Sequence, residues 1–172
     1  MLPKIQKILY ATDLSDNSRR AFGYAAGAAQ SFGSQMIVLH VVEPINPNTY
    51  MQISSMLGEA EWVNLQMGRD SQLTEEIMTR LKQFCLDLQT DLRTFPLNEN
   101  QILIRKGLPV DEIIGLAAEE GVDLIVLGTH GYGLVKDALM GGTVRRLVRR
   151  SPIPVMVVPN PDAAHHRAVD TA

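Results

Sequence analysis

The sequence predicts an α/β fold: a doubly wound, five-stranded parallel sheet in the order 3-2-1-4-5, with helices on both faces. Three observations predict it. Five short runs rich in Val, Ile and Leu are mostly continuous rather than alternating, as strands covered on both faces are. Between them lie stretches whose apolar residues recur at helical spacing. Gly, Pro and Asp punctuate the changeovers, and right-handed crossovers leave few topologies for such an alternation.

The first strand is read at Ile8–Ala11, followed by Asp13, Ser15 and Asp16 as helix-capping residues. Ala21, Ala25, Ala28 and Phe32 mark the first helix, which Gly33 ends. The second strand is Met36–Val42. Residues 43–70 hold two prolines and no sustained period, which predicts a long loop with a short helix near Glu59–Val63. Leu73, Ile77, Leu81, Phe84, Leu88 and Leu92 form the second helical stripe. The third strand is Gln101–Arg105, and Pro109 sits where an N1 proline starts a helix. Val110, Ile113, Ile114, Ala117 and Ala118 give that helix its apolar face, and Gly121 ends it. Leu124–Leu127 is the fourth strand. Thr143 opens a short last helix with Val144, Leu147 and Val148 on its apolar stripe. Pro152 and Pro154 stop it and lead into the fifth strand, Val155–Val158.

At 172 residues the chain is read as one domain over 1–159 with a disordered tail over 160–172. Its 45% hydrophobic and 20% charged residues are ordinary for a globular protein. A net charge of −3 lacks the broad basic footprint that nucleic acid demands, so no nucleic-acid partner is expected. No run approaches the roughly 18 apolar residues of a membrane span, and no signal segment is recognisable, so the expected location is cytoplasmic. Cys85 is the single cysteine, expected to be a buried apolar side chain.

Doubly wound sheets bind ligands where the strand order reverses, beyond the carboxyl ends of the strands. Here that point lies between strands one and four, at Asp13 and Gly128. The richest cluster of glycines falls in the same place: Gly128, Gly131, Gly133, Gly141 and Gly142 lie just before the last helix. Glycine lets a ligand approach the main chain, and helix-start amides favour phosphate. Asp13 is read as a ligand contact, a helix cap, or both.

Other motifs are missing. There is no G-x4-G-K-(S/T) loop, and G-x-G-x-x-G fails because Lys136 stands where the third glycine is required. His130 has no orienting partner in the sequence and is read as a loop residue. Arg145, Arg146, Arg149 and Arg150 are read as a solvated helix face, with Arg145, nearest the helix start, as the one able to reach a ligand.

The segment GTHG, nine residues, then Gly141-Gly142-Thr143 resembles the nucleotide motif G-x2-G-x9-G-(S/T) of the universal stress protein family. KILYATDLSDNSRRAF resembles the family's first strand and loop, LHVVEP its second strand, and SPIPVMVVP its last. The resemblance implies the doubly wound fold and binding of ATP, or of ADP or AMP, with Mg²⁺ held through the nucleotide and Asp13. It implies that Ala11, Thr12 and Asp13 line the adenosine side and that Val41 meets adenine. Leu127, Gly128, Thr129, His130 and Gly131 would wrap the ribose and phosphates, and Gly141, Gly142 and Thr143 would hold the triphosphate. It also implies a homodimer, with Val155–Val158 as the pairing edge. One departure stands out: Gly142 occupies the place of the family's Ser or Thr. The expected function is a nucleotide-binding regulatory protein; a slow ATPase or phosphotransferase and a dimeric scaffold without nucleotide are the other readings.

Overall fold

The structure, a computed structural model, describes residues 2–44, 51, 55, 59–92, 98–129 and 140–160. Among the described residues there are five strands: β1 (Lys7–Thr12), β2 (Gln35–Val42), β3 (Ile102–Lys106), β4 (Leu124–Gly128) and β5 (Val155–Val158). Among the described residues the helices between them include α1 (Asp16–Phe32), α2 (Glu59–Leu92), α3 (Pro109–Glu120) and α4 (Gly142–Arg150). A 3-10 turn, Glu99–Gln101, precedes β3. All strands run parallel, in the order β3-β2-β1-β4-β5, as the sequence predicts.

The continuous apolar strands bury both faces. Ile8, Tyr10, Met36, Val38, Ile102 and Val126 meet Phe22 and Ala25 of α1 and Leu81 and Phe84 of α2. Leu9, Ile37, Leu39, Ile125 and Leu127 meet Ile113 and Leu116 of α3 and Val144 and Leu147 of α4. Gly33 and Gly121 end α1 and α3 in the left-handed conformation that only glycine adopts without cost. At both, the following amide closes back on the helix, Ser34 to Ala29 and Val122 to Ala117. Pro109 sits at the start of α3 as expected.

Some sequence expectations need correction. The short helix expected near Glu59–Val63 is the start of a long one: α2 begins at Glu59 and runs for 34 residues, through 64–70, where the sequence predicts loop. It spans about 51 Å, whereas the eight residues of β2 span about 26 Å. Among its described side chains the buried ones, Leu81, Phe84, Cys85 and Leu88, lie in its C-terminal half. The helix runs antiparallel to the strands it connects, so its first half extends past their carboxyl ends. Leu73, placed on the apolar stripe, is exposed in that half. Phe32, Val148 and Ala118 are exposed as well, because each lies at the end or the flank of its helix. Cys85 is buried, and burial pushes its thiol up to about 12.

Ser15 is the N-cap of α1, yet its side chain makes no capping hydrogen bond. Asp13 caps the turn instead: one carboxylate oxygen accepts from the Ser15 amide at 3.1 Å and the Ser15 hydroxyl at 2.6 Å. The tail beyond Asn160, and most of 45–58, fall outside the described residues.

Candidate functional site

At their amino ends β1 and β4 are pinned together. One oxygen of Asp123 accepts the amides of Gln6 (2.8 Å) and Lys7 (3.0 Å), and the Asp123 amide donates to the Lys7 carbonyl. The ladder then pairs Ile8 with Leu124, Leu9 with Ile125 and Tyr10 with Val126. Both strands continue two residues further, to Thr12 and Gly128, where each pairs only outward, β1 with β2 up to Thr12–His40 and β4 with β5 up to Gly128–Val158. The sheet therefore splits between β1 and β4 at its carboxyl edge. This is the crevice expected of the order reversal.

Ala11 and Val41 face the α3–α4 side of the sheet, half-buried at the rim, beside the buried Leu127. Gly128 and Thr129 continue β4 into the crevice wall. The main chain of Thr129 is fixed twice: its amide donates to Val158 at 3.0 Å, and its carbonyl accepts from Gly141 at 2.9 Å. The second bond places the start of α4 against the end of β4. α4 begins one residue before the expected Thr143, with Gly141 as N-cap and Gly142 as its first residue. The first amides of a helix have no partner within it, so those of Gly142 and Thr143 form the donor end of this helix at the crevice. The structure thus brings Ala11, Val41, Leu127, Gly128, Thr129, Gly141, Gly142 and Thr143 to one edge of the sheet. His130 and Gly131 lie outside the described residues.

Thr12 and Asp13 are committed differently from the other rim residues. The Thr12 hydroxyl donates to Ser18 Oγ at 2.9 Å and accepts the Leu14 amide at 3.0 Å, while the Thr12 carbonyl lies 2.9 Å from His40 Nδ1. Thr12 is buried and braces the β1–α1 turn. Leu14, just after Asp13, has a φ of 65°, so the chain turns sharply here without a glycine. The Asp13 carboxylate is half-buried at that turn, next to the crevice.

Beyond Val41 the wall continues through its register partner Arg105. The Arg105 guanidinium binds Glu119 in a bidentate pair and sits 3.8 Å from Glu112. The pairing holds the Glu119 carboxyl below its usual range and raises Arg105. Sequence reasoning missed this cluster; its signal was the 14-residue separation that joins β3 to the far end of α3. Among the described residues no group of three or more metal-ligating side chains occurs. No described helix is long and apolar enough to cross a membrane.

Comparison with known proteins agrees with this architecture. The universal stress protein family model matches residues 4–159. Universal stress protein MJ0577 of Methanocaldococcus jannaschii is 27% identical over 153 residues, 89% of this chain and 94% of its own. A Thermus aquaticus relative, described as the universal stress protein in the QAH/OAS sulfhydrylase 3'region, is 30% identical over 154 residues, 88% of this chain and 96% of its own. The solved structure of MJ0577 superposes with a TM-score of 0.67 at 26% identity, covering 92% of this chain and 98% of that one. A universal stress protein solved in complex with cAMP shares the fold, with a TM-score of 0.57 at 23% identity over 91% of this chain and 98% of that one. The chain belongs to the universal stress protein family.

Proposed function

We propose that the crevice between β1 and β4 binds an adenine nucleotide, ATP first and ADP or AMP as alternatives, and that the protein regulates through occupancy rather than through rapid turnover. The observation that carries this reading is the split of the sheet beyond Tyr10 and Val126, faced by the glycine start of α4, which the Gly141–Thr129 bond holds in place. Ala11 and Val41 offer an apolar rim for the base. Leu127 to Gly131 border the ribose and phosphates, and Gly141, Gly142 and Thr143 supply main-chain donors to the phosphate chain. Thr12 supports the floor rather than bonding the ligand, since its hydroxyl and carbonyl are both engaged within the protein.

Magnesium fits this arrangement as a passenger of the nucleotide. It commonly takes one or two protein carboxylates beside phosphate oxygens, and among the described residues Asp13 offers a carboxylate beside the crevice. One Asp13 oxygen is already turned onto Ser15, which favours a positioning role over that of a general base. The protein would act as a homodimer joined at β5, the strand at one end of the sheet order. A ligand shifts a conformational equilibrium only through differential affinity, so the responding element must touch the occupied crevice or the dimer edge.

The test is a thermal-shift titration with ATP, ADP, AMP and cAMP, with mass spectrometry of any ligand released from the purified protein. A ligand at about 100 times its dissociation constant adds about 2.7 kcal/mol. No shift at millimolar concentrations of any of the four would leave the scaffold reading. Magnesium-dependent phosphate release in the ordinary enzyme range, roughly 1–10³ s⁻¹, would replace regulation by catalysis.

A further inference from the structure

The nine residues of α4, Gly142–Arg150, carry four arginines and no acid. Cations are favoured at the carboxyl end of a helix and disfavoured at the amino end. Arg149 and Arg150 follow that rule, and Arg150 also pairs with Asp111 of α3 at 2.8 Å. Arg146 does not follow it. A helical side chain leans back over the preceding turn. That of Arg146 does so until its Nη2 lies 4.0 Å from the point where a Cβ on Gly142 would stand. The guanidinium thus rests beside the first residue of the helix, at the positive end of its dipole. Arg146 is exposed, and among the described residues it forms no salt bridge. A cation at that position is stabilised by an anion bound at the same helix start.

We infer that Arg146 is a ligand-binding residue for the distal phosphates of a nucleoside di- or triphosphate, and that it makes the crevice selective for polyphosphates over nucleoside monophosphates. The inference rests on the nucleotide reading of the crevice. Gly142 makes room for it: the position where the family motif has a hydroxyl is bare here, and the guanidinium occupies the adjoining space. Arg is suited to the task because its fork of donors matches phosphate oxygens two at a time. A monophosphate, seated nearer the β4 turn, would use the main-chain amides and leave Arg146 in solvent.

The experiment compares ATP, ADP and AMP affinities of the wild type, R146Q and R149Q by calorimetry. The expected result is an ATP dissociation constant raised about tenfold in R146Q, with AMP affinity changed less than about twofold and R149Q unaffected. The salt dependence of ATP binding should also weaken in R146Q. Equal losses for ATP and AMP, or no loss for ATP, would overturn the inference while leaving the nucleotide site intact. Absence of binding of all three nucleotides to the wild type would overturn the nucleotide reading itself and this inference with it.

Discussion

The Tyr10 hydroxyl donates to the Ser18 carbonyl at 2.7 Å, tying the middle of β1 to the first turn of α1 inside the core. Tyr10 is fully buried and meets Phe22 edge-on, with centroids 5.4 Å apart. Burial pushes its phenol well above the ordinary value. Ser18 also receives Thr12, so one serine gathers both side chains that hold β1 to the helix. Tyr10→Phe keeps the ring contact and removes only the bond. The expected cost is about 0.5–1.5 kcal/mol in urea unfolding. Because this bond braces the turn that carries Asp13, nucleotide affinity should fall in the same variant.

Gly107 closes β3 with a φ of 154°, and its amide donates to the Val42 carbonyl at 3.0 Å. A Cβ there would stand 2.8 Å from Cγ of Glu112, the residue whose carboxylate faces Arg105. Gly107→Ala therefore combines an unfavourable backbone conformation with a steric clash. The expected loss is about 1–3 kcal/mol, read as a lower urea midpoint with an unchanged slope. Gly107→Ala combined with Glu112→Ala should recover the steric part and leave the backbone part.

Cys85 sets an alkaline limit on stability. Its thiol titrates near 12 in the folded chain, above the ordinary value of about 8.5. A raised pKa means the folded state keeps its proton while the unfolded chain has already lost it. The contribution is complete below the ordinary value and is lost as pH climbs from there towards 12. Stability should fall in that window by up to about 1.4 kcal/mol per pH unit from this group. Cys85→Ala should flatten that part of the curve. In the wild type, thiol-specific reagents at pH 8 should react slowly with the native protein and fully after unfolding.

The sheet was legible in the sequence because its strands are covered on both faces, so Ile8, Leu9 and Tyr10 read as one apolar run. The crevice was legible for a topological reason: once the strand order is fixed, its reversal between β1 and β4 fixes where the sheet must split. The first half of α2 was not legible. Residues 59–70 show no sustained helical period, and that period is the signal by which a helix is read from sequence. Leu73 and Val148 fit a helical period yet are exposed, since periodicity reports a helix face and not whether the sheet extends beneath it. The engagement of Thr12 by Ser18 depends on a turn geometry that residue spacing does not encode. The choice of Arg145 as the arginine nearest the ligand followed distance along the chain. The inference for Arg146 rests instead on the position of its guanidinium, 4.0 Å from where a Cβ on Gly142 would stand.

Gly142 supplies a direct test of the phosphate end. Its φ is not in the left-handed region, and the nearest atom to a built Cβ is Arg146 Nη2 at 4.0 Å, so a serine fits without strain. Gly142→Ser restores the hydroxyl of the family motif. A hydroxyl bonded to phosphate contributes about 1.5–3 kcal/mol. ATP affinity should rise about tenfold or more by calorimetry. Unchanged affinity would mean that the helix start lies too far from the phosphates to use a side chain.

The proposed dimer edge can be tested on the backbone of β5. Ile125 donates to the Pro154 carbonyl and Thr129 to the Val158 carbonyl, both at 3.0 Å. Even-numbered residues of β5 therefore face β4 with their main-chain groups. By alternation, Val155 and Val157 direct theirs outward, where a second copy would pair. Val157→Pro removes one outward donor and leaves the β4 ladder whole, since proline is tolerated on an edge strand. Two prolines per dimer remove two donors, about 1–3 kcal/mol together, so the dimer dissociation constant should rise about tenfold or more. Analytical ultracentrifugation reads the shift, and an unchanged circular dichroism spectrum certifies the fold. A variant that dimerises as tightly as the wild type would move the interface away from β5.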